Sequence, residues 1–216
     1  MTLYDLTPPI HSGLCVWPGD TPPSREVLLD MKQGANITLS TLRATVHLGA
    51  HADAPNHYGA SAPSIEQRSL DPYLGPCRLV HVRVGRGQRV SIEAFESALG
   101  AVGGPAAALA PRVLIATGTF PDPTNWNPDF AALAPELVDH LRGRGVRLVG
   151  IDTPSVDVFD SKDLPTHQRL LANDMAVLEG LLLSRVPGGD YELIALPLPL
   201  VGFDASPVRA VLRSLS

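Results

Sequence analysis

Cysteine is nearly absent from this 216-residue chain: Cys15 and Cys77 are far apart and lack C-x-x-C spacing. That excludes a disulfide framework and a cysteine zinc knuckle, and two free, mostly buried thiols are expected. Long apolar runs are missing as well. The most apolar late stretch, Leu193 to Phe203, is cut by Pro197 and Pro199 and falls far short of the ~20 residues a membrane-spanning helix needs. No membrane partner is expected. The start, Met-Thr-Leu-Tyr-Asp, has no basic stretch ahead of an apolar core, so no secretory leader is expected and a cytoplasmic location is. Nor is there an excess of positive charge. With 17 Lys+Arg against 22 Asp+Glu the net charge is −5, which leaves no footprint for a phosphate backbone and argues against nucleic acid. The one locally basic stretch, Arg83 to Arg89, is interleaved with glycine and reads as a solvated turn without function.

What remains is the composition of a globular protein, with 44% hydrophobic and 18% charged residues. At this length folding buries roughly 70% of the unfolded surface. The 19 Gly and 21 Pro are spread along the chain rather than gathered in a linker, so residues 1–216 are expected to form one domain. Strands are predicted over Thr38 to His47, Arg78 to Val84, Val113 to Thr117, Leu148 to Ile151 and Leu193 to Leu196. Helices are predicted over Ser91 to Leu99 and Ala134 to Arg142, from their terminus signals. The Ala101 to Ala110 tract reads as a small loop or helix end. Strands alternating with helices, and runs apolar on both faces, predict an α/β fold. Its core should be a mixed sheet or barrel-like β structure with flanking helices.

Chemistry concentrates in Thr45-Val-His47-Leu-Gly-Ala-His51-Ala-Asp53-Ala-Pro-Asn-His57. In a helix, His47 and His51 would share a face but Asp53 would point away, and Gly49 and Pro55 would interrupt the turns. In an extended segment, positions 47, 51 and 53 share one parity and project together. Two imidazoles and a carboxylate with an open position suit a catalytic zinc or a related divalent metal. His57 follows Pro55 and is either a free acid or base over that site or a surface-loop histidine. Further on, Glu179 sits in the apolar run Ala-Val-Leu-Glu-Gly-Leu-Leu-Leu. Buried there it would need a partner or a cation; the alternative is a solvent-facing place on an amphipathic element. His167 is open in the same way.

Together these segments resemble the bacterial kynurenine formamidases of the metal-dependent cyclase-like superfamily. The resemblance rests on His-x-Gly-x-His-x-Asp-Ala-Pro-x-His, the distant His-x11-Glu, and the arm Val16-Trp17-Pro-Gly-Asp20. It extends to Gly150-Ile-Asp152-Thr-Pro-Ser155-Val-Asp157 and the C-terminal stretch that ends in Phe203-Asp-Ala-Ser-Pro-Val-Arg. It implies a cyclase-like fold, a homodimer, and two zinc ions per subunit, with manganese as another candidate. His47, His51 and Asp53 would hold the first ion. Asp53 would bridge to a second completed by His167, and Glu179 would bind both. His57 would be the acid and base, and Trp17 would contact an aromatic formamide substrate, although a packing anchor or dimer contact is an equal reading of that tryptophan. The implied reaction is hydrolysis of N-formyl-L-kynurenine. The same ligands would serve a hydrolase of cyclic amides such as isatin, since pockets are built on variable loops; a non-catalytic metal-binding protein is the remaining alternative.

Overall fold

Apolar runs that bury both faces are found at the centre of the sheet. The computed structural model describes residues 1–102 and 109–215. Within them the strands are β1 (Leu3–Asp5), β2 (Ser24–Leu29), β3 (Leu39–Arg43), β4 (His51–Asp53), β5 (Leu74–His81), β6 (Arg89–Val90), β7 (Arg112–Ala116), β8 (Ala132–Leu133), β9 (Leu148–Ile151), β10 (Ala176–Glu179), β11 (Gly189–Ile194), β12 (Ala205–Pro207) and β13 (Val211–Ser214). The helices are α1 (Ile92–Val102), α2 (Pro135–Gly143) and α3 (Pro165–Ala172). Nine strands form one curled, half-barrel sheet in the order β1-β13-β11-β5-β7-β9-β10-β4-β12. The four at its middle, β5, β7, β9 and β10, are parallel, and the strands flanking them are antiparallel. This is the mixed-sheet α/β fold expected from the alternation of elements.

The period of two divides the central side chains between two cores. Val80, Val113, Ile115, Val149 and Val177 pack with Phe95, Leu137, Leu141 and Leu170 of the helices. Their neighbours Leu79, Leu114, Leu148 and Leu178 join Tyr73, Leu193 and Leu212 on the other face. All three helices therefore cover one face. Pro135 opens α2 and Arg142 lies in its last turn, as the terminus signals indicate. Of the alanine-rich tract, Ala101 and Val102 close α1, while 103–108 lie outside the described residues. Cys77 is buried, Cys15 is half-buried, and both are free. No helix among the described residues is long and apolar enough to cross a membrane.

One predicted strand is corrected. The Thr38 to His47 segment does not run through as one strand; β3 stops at Arg43 and pairs with β2 in a separate two-stranded ribbon. The ribbon leaves Val27, Leu28, Leu29, Leu39 and Leu42 exposed, so its strand-like composition did not signal a place in the main sheet. The chain between β3 and β4 is irregular, with bends at 46–47 and 49–50.

The register that matters most joins β10 to β4. Glu179 lies directly opposite His51, and Val177 opposite Asp53. Opposed residues of an antiparallel pair point to the same face, and Val177 lies in the helix-side core. His51, Asp53 and Glu179 thus share the helix-covered face, where α3 brings His167.

Candidate metal centre

Three elements, β4, β10 and α3, and one bend assemble the cluster. His51 and Asp53 project from the same side of β4, while Ala50, Ala52 and Ala54 fill the opposite core. His47 does not belong to that strand, so shared parity is not what brings it there. Gly49 adopts φ +56°, a left-handed conformation that costs a residue with a Cβ roughly 1–2 kcal/mol. A Cβ there would also stand 2.9 Å from Pro8 Cγ. The bend at Gly49 returns His47 over β4, and its Nδ1 lies 3.0 Å from Asp53 Oδ1.

The remaining donors meet from two sides of the two carboxylates. His51 Nε2 is 3.4 Å from Asp53 Oδ1 and 3.4 Å from Glu179 Oε2. His167 Nε2 is 3.5 Å from Asp53 Oδ2 and 3.5 Å from Glu179 Oε1. These side chains are buried, which settles Glu179 against the solvent-facing alternative. Yet His51 Nε2 and both Asp53 oxygens lack any aligned hydrogen bond. Orphaned polar atoms in such a setting are costly unless something binds them. Ligands placed about 2.1 Å from a shared centre in a tetrahedron stand about 3.4 Å apart, so the observed 3.4–3.5 Å spacing around these unpartnered atoms fits donors arranged around a cation. The donor set of imidazoles and carboxylates accepts zinc or manganese. His51, Asp53 and Glu179 each place one donor within 4.8 Å of the others, and so do His47, Asp53 and His57.

Charge is balanced within the cluster. Burial opposes a charge on His51, but Asp53 and Glu179 beside it raise its pKa to about 10. Burial likewise opposes charge on His47 and His167, and the adjacent carboxylates override it, raising both. Burial alone would push Asp53 up, while the charge of His47 and the nearness of His167 and His51 hold it well below the usual carboxylate range.

Three supporting side chains were not assigned from sequence. Asp157, at the loop beyond the carboxyl end of β9, accepts from His167 Nδ1 at 2.8 Å and from the backbone amides of Thr166 and His167. It thereby caps α3 and turns His167 Nε2 inward. Arg89 in turn donates to Asp157 Oδ1 at 2.9 Å, to the Leu133 carbonyl and to Thr166 Oγ1. The reading of Arg83 to Arg89 as wholly solvated is therefore corrected at its last residue: a lone charge at the end of a glycine-rich stretch carries no sequence sign of its buried partner. Asp204, preceding β12, lies 3.0 Å from His47 Nε2 and 3.4 Å from His57 Nδ1. Its signal was its place in the recognised C-terminal turn. Asp157→Asn is expected to weaken metal binding roughly 10–100-fold, the usual effect of losing a carboxylate behind a ligating histidine. Calorimetric zinc titration checks this, and unchanged affinity would show that Asp157 does not orient His167.

Above the cluster opens a cavity of about 510 Å³, lined by Trp17, His57, Phe120, Trp126 and other residues. Trp17 both packs and faces the cavity. Its ring lies 5.1 Å from Phe159 and 5.5 Å from Trp126, so it is packed as an anchor while lining the cavity. His57 sits at the end of a short Pro55–His57 turn, its ring 4.3 Å from that of His47.

The half-barrel sheet and the buried imidazole–carboxylate cluster define the class: an α/β protein with a centre competent to hold divalent cations. Within it, the chain belongs to the Cyclase family, whose model matches residues 4–158. That match includes His47, His51, Asp53 and His57 and ends before His167 and Glu179. Whole-chain similarity extends to a solved structure described as a potential metal-dependent hydrolase with cyclase activity, 28% identical over 98% of this chain and 96% of the other, with a TM-score of 0.78. A predicted metal-dependent hydrolase from Bacillus stearothermophilus is also 28% identical, over 98% and 97%, with a TM-score of 0.77. Isatin hydrolase A from Labrenzia aggregata is 22% identical over 98% and 93%, with a TM-score of 0.78, a likeness of fold alone.

Proposed function

We propose that this protein is a metal-dependent amidohydrolase that converts N-formyl-L-kynurenine and water to L-kynurenine and formate. The observation that carries the reading is the set of buried, unpartnered donors of His51 and Asp53, shared with Glu179 and His167, beneath an aromatic-walled cavity. The two 28%-identical structures, both described as metal-dependent hydrolases, support the general chemistry. The aromatic substrate rests on Trp17, Trp126 and Phe120 and on the resemblance of the arm that carries Trp17.

His47, His51, Asp53, Glu179 and His167 would hold the metal. A divalent cation there supplies Lewis acidity and brings the pKa of a water down to about 7. His57 does the proton work. It stands beside the cluster with Asp204 next to Nδ1, and its Nε2 has no hydrogen-bond partner among the described residues. As the water oxygen bonds to the formyl carbon, His57 takes the water's proton. When the carbon–nitrogen bond breaks, its electron pair stays on the aryl nitrogen, and His57 returns the proton to that nitrogen. Water and formamide are consumed; formate, the free aryl amine and the proton that formic acid loses on ionising leave. Trp17 and its aromatic neighbours hold the ring face, which fixes the formyl group relative to His57.

The test is turnover of N-formyl-L-kynurenine by purified protein before chelation, after it, and after zinc or manganese is restored. Activity lost and regained supports the reading. Turnover of isatin with none of the formamide would retain the metal chemistry and overturn the substrate.

A further inference from the structure

Asp20 stands at the same cavity, and the hydrolysis just described gives it no task. Residues Trp17-Pro18-Gly19-Asp20 form a tight turn in which the Asp20 amide donates to the Trp17 carbonyl at 2.9 Å. Proline at its second position and Gly19 at φ +96° in its third are the marks of a type II turn, where glycine is favoured because φ is positive. Pro18 and the closing hydrogen bond leave this turn little freedom. It therefore presents an indole and a carboxylate from its two ends to one cavity. Asp20 Oδ1 accepts the Thr21 amide at 2.6 Å, and Oδ2 has no partner among the described residues.

The other carboxylates that line the cavity are already committed. Asp152 accepts the Thr117 and Gly118 amides and the Thr117 hydroxyl. Glu179 belongs to the metal-competent cluster. Among the described residues no lysine or arginine lines the cavity. A cationic group on a ligand therefore finds one free carboxylate in a cavity that Trp17 also lines, whereas an anionic group distant from the cluster finds no cationic side chain.

We propose that Asp20 binds the α-ammonium group of the substrate while the substrate's carboxylate stays in water, selecting aryl amides that carry a primary ammonium. The inference rests on the proposed function for the ring and its formamide. An exposed charge pair is weak by itself, but an ammonium held there over the Trp17 ring would add a cation–π contribution, and together they correspond to a preference of about tenfold.

Binding tests this without turnover. Zinc-loaded protein is titrated calorimetrically with L-kynurenine, with its deaminated analogue 4-(2-aminophenyl)-4-oxobutanoic acid, and with 2-aminoacetophenone, which lacks both charges. L-Kynurenine is expected to bind about tenfold tighter than the deaminated acid. Asp20→Asn, which keeps an acceptor for the Thr21 amide, should abolish that preference, and Asp20→Glu should restore part of it. A preference that survives Asp20→Asn, a wild type without preference, or absence of binding by all three ligands overturns the assignment. Failure of the proposed function is read separately, as absent turnover of N-formyl-L-kynurenine.

Discussion

Asp53→Asn is expected to lower kcat/KM for N-formyl-L-kynurenine by more than about 100-fold, beyond the range of a residue acting behind a ligand, and to reduce the metal held per chain. Asp53 offers one oxygen to the His47 and His51 side and the other to His167. An amide keeps the shape but loses the negative charge and turns one acceptor into a donor, so neither side retains its donor set. Activity assays and elemental analysis of the purified variant check the two effects; wild-type metal content with wild-type turnover would remove Asp53 from the centre. The same substitution has a proton signature. In metal-free protein, His51 is raised from 6.5 to about 10 by Asp53 and Glu179 against the opposing effect of burial. A group whose folded pKa is raised contributes stability that is complete below its unfolded pKa and is lost as pH rises through the folded one. Chelator-treated wild type should therefore lose thermal stability between pH 6.5 and about 10, and the loss should be smaller in Asp53→Asn, whose His51 has one anionic neighbour fewer. Metal uptake at neutral pH must displace these protons, so calorimetry in buffers of different ionisation enthalpy should show proton release.

The central strands were legible because they are apolar without interruption: Leu148–Ile151 is the predicted strand residue for residue, and β7 differs by one residue at each end. Helix ends marked by Pro135 and Arg142 were legible for the same local reason. His51 and Asp53 could be placed on one face from spacing alone. His47 arrives by a different route, since its position depends on the left-handed turn at Gly49, whose close approach to Pro8 is a contact between residues 41 positions apart. Glu179 was visible as an anomaly because a carboxylate in an apolar run demands an explanation, but that it lies opposite His51 is a matter of strand pairing. Asp157, Arg89 and Asp204 illustrate the limit. Each is an ordinary polar residue whose importance comes from a partner 10, 68 or 157 positions away, and no local pattern encodes such pairings. The same holds for the aromatic wall, in which Trp17 meets Trp126 and Phe159 through the tertiary fold.

Removal of the imidazole of His57 separates two roles that the geometry permits. As proton carrier, His57 contributes about 10²–10⁴-fold, so His57→Ala should lower kcat by that factor while the bound metal stays at the wild-type level. The loss should depend on the leaving group. An aryl amine cannot depart until its nitrogen is protonated, whereas the phenolate of phenyl formate leaves as an anion, so the ester should lose far less activity than the formamide. Asp204→Asn, which alters the partner of both His47 and His57, should produce an intermediate loss. The competing role is ligation, because a donor atom of His57 lies within 4.8 Å of donors of His47 and Asp53. If His57→Ala instead lowers metal content, and ester and amide turnover fall in parallel with it, His57 is a ligand and the proton must be carried by another group. Loss confined to the amide with full metal content identifies His57 as the group that protonates the leaving nitrogen.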